Sequence, residues 1–340
     1  MKKKVLIIGG AGFIGHNIAL NLIADNYEIF IIDSLAVNNF VSLVDNRDNL
    51  PYPKLSKAVL NDRVRLFEEK NLNIIIQDAR DYHELNSKIN EIKPNIIIHL
   101  AAVSHANRSN KDPYSTFDHS FRTLENALDC ARGQSQLEHF IYFSSSMVYG
   151  NFKQDFVDEK SICDPIGIYG ALKFSGEKIV IAYNQVFDLP YTIIRPSALY
   201  GERCISRRVG QIFIENALLG KDITIDGDGL EKLDFTYIQD LVLGVKCIIE
   251  NKNSKNQIFN ITYGEGRKII DLVDILKKHF GKINLVKKER NKLMPKRGTL
   301  LGDKARDLIG YKPLWSLDKG YSEYIKWYQE FFERNKKNIE

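Results

Sequence analysis

Val5-Leu6-Ile7-Ile8-Gly9-Gly10-Ala11-Gly12-Phe13-Ile14-Gly15 lies near the start of the sequence, and its reading decides the fold. Four consecutive apolar residues suit a strand covered on both faces, as in a parallel sheet. Glycines follow at once, and a segment of helical period begins at Gly12. Gly9 permits a tight turn, Gly12 lets the backbone approach a pyrophosphate, and Gly15 allows close packing of helix on strand. The phosphates then rest on unpaired amides at the helix start.

A glycine triad alone is a weak signal, but here a strand precedes it and a helix follows. The next apolar run, Ile29-Phe30-Ile31-Ile32, ends in Asp33. A carboxylate there accepts hydrogen bonds from adenosine ribose hydroxyls and repels a 2′-phosphate. No lysine or arginine occurs among residues 34–39, so the expected cofactor is NAD rather than NADP.

Further apolar runs at 74–76, 96–100, 140–144 and 191–195 predict buried strands. Segments 12–24, 82–92, 114–132 and 168–187 predict helices between them. This alternation predicts an α/β fold, a Rossmann-type doubly wound parallel sheet. After Pro196 the rhythm loosens, with a turn at Asp226-Gly227-Asp228-Gly229 and short helices at 209–219 and 269–280. Residues 1–195 are therefore expected to form the NAD-binding domain. Residues 196–340 are expected to form a smaller C-terminal α/β substrate lobe, interleaved with the first. Residues 35–69, containing Pro51 and Pro53, are too long for a simple connection and read as an insertion.

The 340 residues are 44% hydrophobic and 27% charged, ample for a large core and unlike a disordered chain. The formal charge of +5 comes from 48 basic and 43 acidic residues, well mixed. That argues against nucleic acid, whose partners concentrate charge in a stripe. Basic clusters at 207–208 and 287–297 suit an anionic small substrate, or simply a solvated surface. Cys130, Cys163, Cys204 and Cys247 are widely spaced, which predicts reduced thiols and a cytoplasmic setting. No apolar run approaches the roughly 18 residues of a membrane span.

Tyr169-Gly170-Ala171-Leu172-Lys173 puts a phenol and an ammonium on one helical face. A free phenol ionises near about pH 10, and an adjacent cation favours the phenolate. Such a tyrosine can take a hydroxyl proton while hydride leaves the same carbon for NAD. Ser144-Ser145-Ser146-Met147-Val148-Tyr149-Gly150 ends a strand about twenty residues earlier, at the sheet edge where such folds keep their ligands.

With these motifs the chain resembles the extended short-chain dehydrogenase/reductase family of nucleotide-sugar epimerases and dehydratases. The likeness spans the whole length. It rests on GGAGFIG, Asp33, Asp78 within QDARD, HLAA at 99–102, SSSMVYG, YGALK and RPSALYG at 195–201. The resemblance implies Ser145 as the catalytic hydroxyl, Tyr169 as base and Lys173 as its partner. It implies a cofactor site of Gly9, Gly12, Phe13, Ile14, Gly15, Asp33, Asp78, Ala79, Leu100, Ala101, Ala102, Tyr169 and Lys173. Asp78 would contact the adenine. Ser104, Ser146, Arg207, Arg208 and Arg297 would contact substrate, although Ser104 also suits a turn cap and the arginines a solvated surface. His99 reads as packed, and His105 as packed or functional. A homodimer paired through the helices at 114–132 and 168–187 is expected, with no metal.

Three departures narrow the chemistry. Ser146 and Met147 occupy the positions where sugar 4,6-dehydratases carry Asp-Glu, and the decarboxylases a Glu at the second, so both reactions are disfavoured. Hydride transfer at sugar C4 remains, with epimerisation placed ahead of net 4-dehydrogenation. Ala198 and Leu233 replace the common Asn and Arg, so the diphosphate grip must use other groups, such as Lys232 or Arg207–Arg208. The SSSMVYG and RPSALYGERC stretches are also similar to a bacterial subgroup acting on capsule heptoses, including GDP-manno-heptose 4-dehydrogenation.

Overall fold

The computed structural model describes residues 2–44, 51–104, 106–290 and 293–339. In chain order β1 (Lys4–Ile8), α1 (Phe13–Ala24), β2 (Glu28–Asp33), α2 (Phe40–Val44), α3 (Pro53–Glu69), β3 (Ile74–Ile76), α4 (Tyr82–Ile92) and β4 (Ile96–His99) come first. Then follow α5 (Ala106–Lys111), α6 (Pro113–Phe117), a π-helical turn (Asp118–Arg122), α7 (Thr123–Arg132), β5 (His139–Phe143), β6 (Phe156–Val157), α8 (Gly167–Phe187) and β7 (Tyr191–Arg195). The remainder comprises α9 (Val209–Leu218), β8 (Ile223–Asp226), β9 (Lys232–Asp234), α10 (Ile238–Glu250), β10 (Gln257–Asn260) and β11 (Gly266–Lys268). It closes with α11 (Ile269–Phe280), β12 (Leu285–Lys288), β13 (Thr299–Leu300), α12 (Asp303–Ile309) and α13 (Leu317–Ile339).

Seven strands pair in parallel in the order β10-β7-β5-β4-β1-β2-β3. Successive residues of a strand face opposite sides, so the apolar runs feed two cores. Leu6, Ile8, Ile97 and Phe140 pack on α4, α7 and α8 through Leu85, Leu128 and Val180. Val5, Ile7, Ile98 and Ile141 face the other side and share a core with α1, α3, α10, α11 and α13. The strand order reverses between β1 and β4. A ligand crevice opens at the carboxyl ends of the strands at such a switch.

The structure refines the sequence reading at three places. The expected helix over 114–132 is divided by the π-helical turn, and Asp112 caps its start by accepting from the Ser115 amide at 3.0 Å. Residues 35–69 contain α2 and α3, and Leu55, Val59, Leu60 and Phe67 of α3 are buried in the main core. β10 hydrogen-bonds to β7, so the chain beyond residue 195 returns to the large sheet. Outside that sheet β12 pairs with β8, β11 with β9 and β13 with β6. Among the described residues no helix is long and apolar enough to cross a membrane.

Candidate active site

The glycine turn after β1 closes against the loop after β4. Gly9 has φ +82°, and a Cβ there would sit 2.6 Å from the Ala101 amide nitrogen, so only glycine fits. At Gly15 a Cβ would come within 2.5 Å of the Gly10 Cα, which sets α1 directly on the turn. Gly12, at the N-cap of α1, offers no side-chain cap to the first-turn amides. Asp33 is fixed by amides of Ala11 at 3.0 Å and Leu35 at 2.8 Å. Gly9, Gly12, Phe13, Ile14, Gly15, Asp33, Asp78, Ala79, Leu100, Ala101 and Ala102 all line one cleft. The Asp78 carboxylate pairs with Arg80 at 2.6 Å. Burial alone would raise its pKa, and the Arg80 hydrogen bonds and charge bring it below the usual value.

A second cavity of about 430 Å³ shares Ile14, Leu100, Ala102, Ser104, Leu199 and Arg208 with that cleft. Ser145, Ser146, Tyr169 and Lys173 line it together. Ser145 Oγ accepts from the Met147 amide at 3.2 Å, capping a short 3-10 turn. Lys173 is buried and its Nζ donates to the Phe143 carbonyl at 2.7 Å. Burial draws the Lys173 pKa down to about 8, against the opposing charge of Glu177. α8 approaches this closely because two glycines face its neighbours. A Cβ at Gly170 would lie 2.8 Å from the Met147 carbonyl, and one at Gly176 2.3 Å from the Tyr142 hydroxyl.

Behind the site runs a buried polar chain. Glu177 accepts from Ser144 Oγ at 2.5 Å and forms a two-pronged pair with Arg195 at 2.9 and 2.6 Å. Arg195 also donates to the Tyr149 hydroxyl at 2.9 Å, which donates to Asn260 Oδ1 at 2.8 Å. This chain ties β5, α8, β7 and β10 together. The sequence reading gave Glu177 no role and used Arg195 only as the start of RPSALYG, yet the four-residue step from Tyr169 to Lys173 to Glu177 was a usable signal.

The predicted substrate arginines have different surroundings. Arg207 pairs with buried Glu215 at 3.3 Å, and Arg208 donates to the Ser104 carbonyl at 2.9 Å. Arg297 lines the cavity half-buried, with its Nε unpaired among the described residues. Burial, reinforced by Arg208, draws its pKa down to about 10. Lys232 also lines the cavity but reaches out to Asp155 at 3.3 Å. Ser104 Oγ accepts from Asn38 at 3.1 Å, and Ser146 Oγ lies 3.4 Å from Ser197 Oγ. Ala198 has φ +33°, a conformation in which glycine or asparagine is more at ease. His99 is buried between Phe140 and Tyr142 without a hydrogen-bond partner among the described residues. His105 lies outside the described residues. Among the cleft residues that escaped the sequence reading are Arg63, from the insertion, and His119, from the π-helical turn.

Residues 5–262 match the model of the NAD dependent epimerase/dehydratase family. The chain belongs to that family. A putative UDP-glucose 4-epimerase of Methanocaldococcus jannaschii is 29% identical over 331 residues, covering 95% of this chain and 97% of that one. UDP-glucuronate 4-epimerase 4 of Arabidopsis thaliana is 27% identical over 352 residues, 98% of this chain and 77% of its own. The UDP-glucuronic acid 4-epimerase of Bacillus cereus, solved with UDP-glucuronic acid and NAD, superposes with a TM-score of 0.85. It is 27% identical and covers 96% of this chain and 99% of its own. NAD is the family's cofactor, and the cleft fits it. Uncapped α1 amides suit the diphosphate, and the Asp33 carboxylate suits ribose hydroxyls.

Proposed function

We propose that this member of the family is a nucleotide-sugar 4-epimerase. The observation that carries this reading is the placement of Tyr169, half-buried on the cavity wall, with buried Lys173 one helical turn behind it. That cavity opens directly onto the dinucleotide cleft. NAD, held by the α1 amides, Asp33 and the Leu100–Ala102 wall, supplies reversible hydride acceptance when bound.

Tyr169 exchanges a proton with the sugar C4 hydroxyl, taking it as the carbonyl forms and returning it as the carbonyl is reduced. The Lys173 ammonium stabilises the charge left on the phenol oxygen. Ser145 donates a hydrogen bond to the reacting oxygen and fixes its position. Arg208 and Arg297 hold the substrate diphosphate, a task suited to guanidinium forks. Ser146 and Met147 offer no acid or base for elimination, which sets dehydration aside. The exposed Tyr114, Phe117, Val186 and Phe187 on α6 and α8 suit a homodimer, to be checked by solution mass measurement.

Incubation with UDP-, GDP-, CDP- and dTDP-hexoses and heptoses, followed by NMR, tests the reading. The expected product is the C4 epimer at equilibrium, with no net consumption of added NAD. Ala198 and Leu233 favour a substrate other than plain UDP-glucose, and the SSSMVYG and RPSALYGERC stretches favour a second reading as a 4-dehydrogenase acting, for example, on GDP-manno-heptose. It would show as a 4-keto sugar formed with stoichiometric consumption of NAD. No turnover of any nucleotide sugar overturns both.

A further inference from the structure

Arg63 lies on α3, inside the insertion between β2 and β3, and is only 2% exposed. A buried guanidinium is costly unless opposite charge offsets its desolvation. Arg63 has hydrogen bonds but, among the described residues, no carboxylate within ion-pair distance. Its Nη1 donates to the Ala11 carbonyl at 3.2 Å and its Nε to the Arg203 carbonyl at 3.0 Å, with Nη2 on that same oxygen. Three of its five N–H groups are thus used, all on neutral carbonyls. The neighbouring carboxylates are engaged elsewhere. Asp62 pairs with Arg65 and Arg203, and Asp33, held by two amides, acts on Arg63 only through space, offsetting part of its desolvation. Desolvation draws Arg63 down to about 10, which still leaves it charged at neutral pH.

The buried charge borders a ligand site. Arg63 lines the dinucleotide cleft beside Gly12, Phe13 and Ile14. Of the two cations on that wall, Arg208 is shared with the substrate cavity, whereas Arg63 belongs to the cleft alone. Its second carbonyl partner lies on another working part. Arg203 and Arg207 have φ +64° and +52°, left-handed conformations that a non-glycine loop holds only when it is tied down. α3 ties this loop twice, through Arg63 to the Arg203 carbonyl and through Asp62 to the Arg203 guanidinium at 2.7 Å. The same loop leads into Arg207 and Arg208.

We infer that Arg63 is a cofactor-binding residue: a buried cation that takes the anionic diphosphate of the dinucleotide as its missing counter-charge and, through the Arg203 carbonyl, couples occupancy of the cleft to the loop presenting Arg207 and Arg208. The inference rests on the cofactor site described above and is independent of which sugar is turned over.

Two variants separate charge from packing: Arg63→Met removes both charge and donors, and Arg63→Gln keeps an N–H donor without the charge. NAD affinity is measured by calorimetry on stripped protein, with circular dichroism and Tm in the absence of NAD as controls. The expected result is a folded Arg63→Gln protein whose NAD affinity is about tenfold weaker or worse. UDP and GDP serve as diphosphate probes of the second cavity. Wild-type protein should bind one of them more tightly once NAD is present, and the variants should lose that difference. A folded variant with NAD affinity within about twofold of wild type overturns the proposal. Should neither variant fold, hydrogen exchange on the wild-type chain decides. NAD is expected to slow exchange in both α3 and residues 201–208, and unchanged exchange at 201–208 overturns the coupling. Failure of the wild-type chain to bind NAD at all would instead sink the cofactor site itself, and no arm depends on sugar turnover.

Discussion

Tyr169 and Lys173 carry the chemistry proposed here, and each makes a separate prediction. Tyr169→Phe removes one oxygen from a half-buried ring, so the fold should persist while turnover falls by about three orders of magnitude. Steady-state rates and an unchanged Tm would check both halves. Lys173 supplies the pH dependence. Its pKa is drawn down to about 8, so raising the pH through that value strips the ammonium of its proton and its charge. The rate should therefore fall on an alkaline limb centred near pH 8, measured as kcat against pH. The neighbourhood of Ser145, Tyr169 and Lys173 was legible because short-range spacing sets it: one helical turn, and one strand end. Arg63 was not legible. Its partner Ala11 is 52 residues away, and nothing in the spacing of an insertion announces a contact of that range.

The strands of the large sheet were legible where apolar residues run together, as in Lys4–Ile8 or Ile96–His99, and its helices where they recur at helical spacing, as Leu85, Ile89 and Ile92 do in Tyr82–Ile92. β10 was not, because Gln257-Ile258-Phe259-Asn260 is short and ends in polar groups, and Asn260 finds its partners in Tyr149, Glu159 and Leu301, all distant in sequence. The insertion's helices were hidden by prolines, although Pro53 merely starts α3, where its missing N–H costs nothing. At this scale α8 is tightly constrained by its glycines. Gly176→Ala places a methyl against the Tyr142 hydroxyl and should destabilise the fold by about 1–3 kcal/mol, read as a lowered Tm. Adding Tyr142→Phe should recover part of that loss. Arg195→Met strands the buried Glu177 carboxylate and should cost on the order of 3 kcal/mol.

The folded molecule as a whole resists acid poorly. Burial holds His99 down to about 3, and His139 down to about 4, and lowers His16 well below its usual value. An unfolded chain protonates the same rings near about 6.5, so stability is intact above that pH and is lost as the pH falls toward the folded values. Thermal melts at pH values between about 7.5 and 4.5 should show a Tm that declines below 6.5. The reach of the polar chain from Ser144 to Asn260 has one more consequence. On the ribosome, the glycine turn, Ser145, Tyr169 and Lys173 all emerge before the strand that braces them. A nascent chain stopped before residue 257 carries Ser145, Tyr169 and Lys173 but lacks both Arg297 and the strut behind Arg195. Competence should thus arrive only late in synthesis, once β10 has emerged to brace the groups that preceded it.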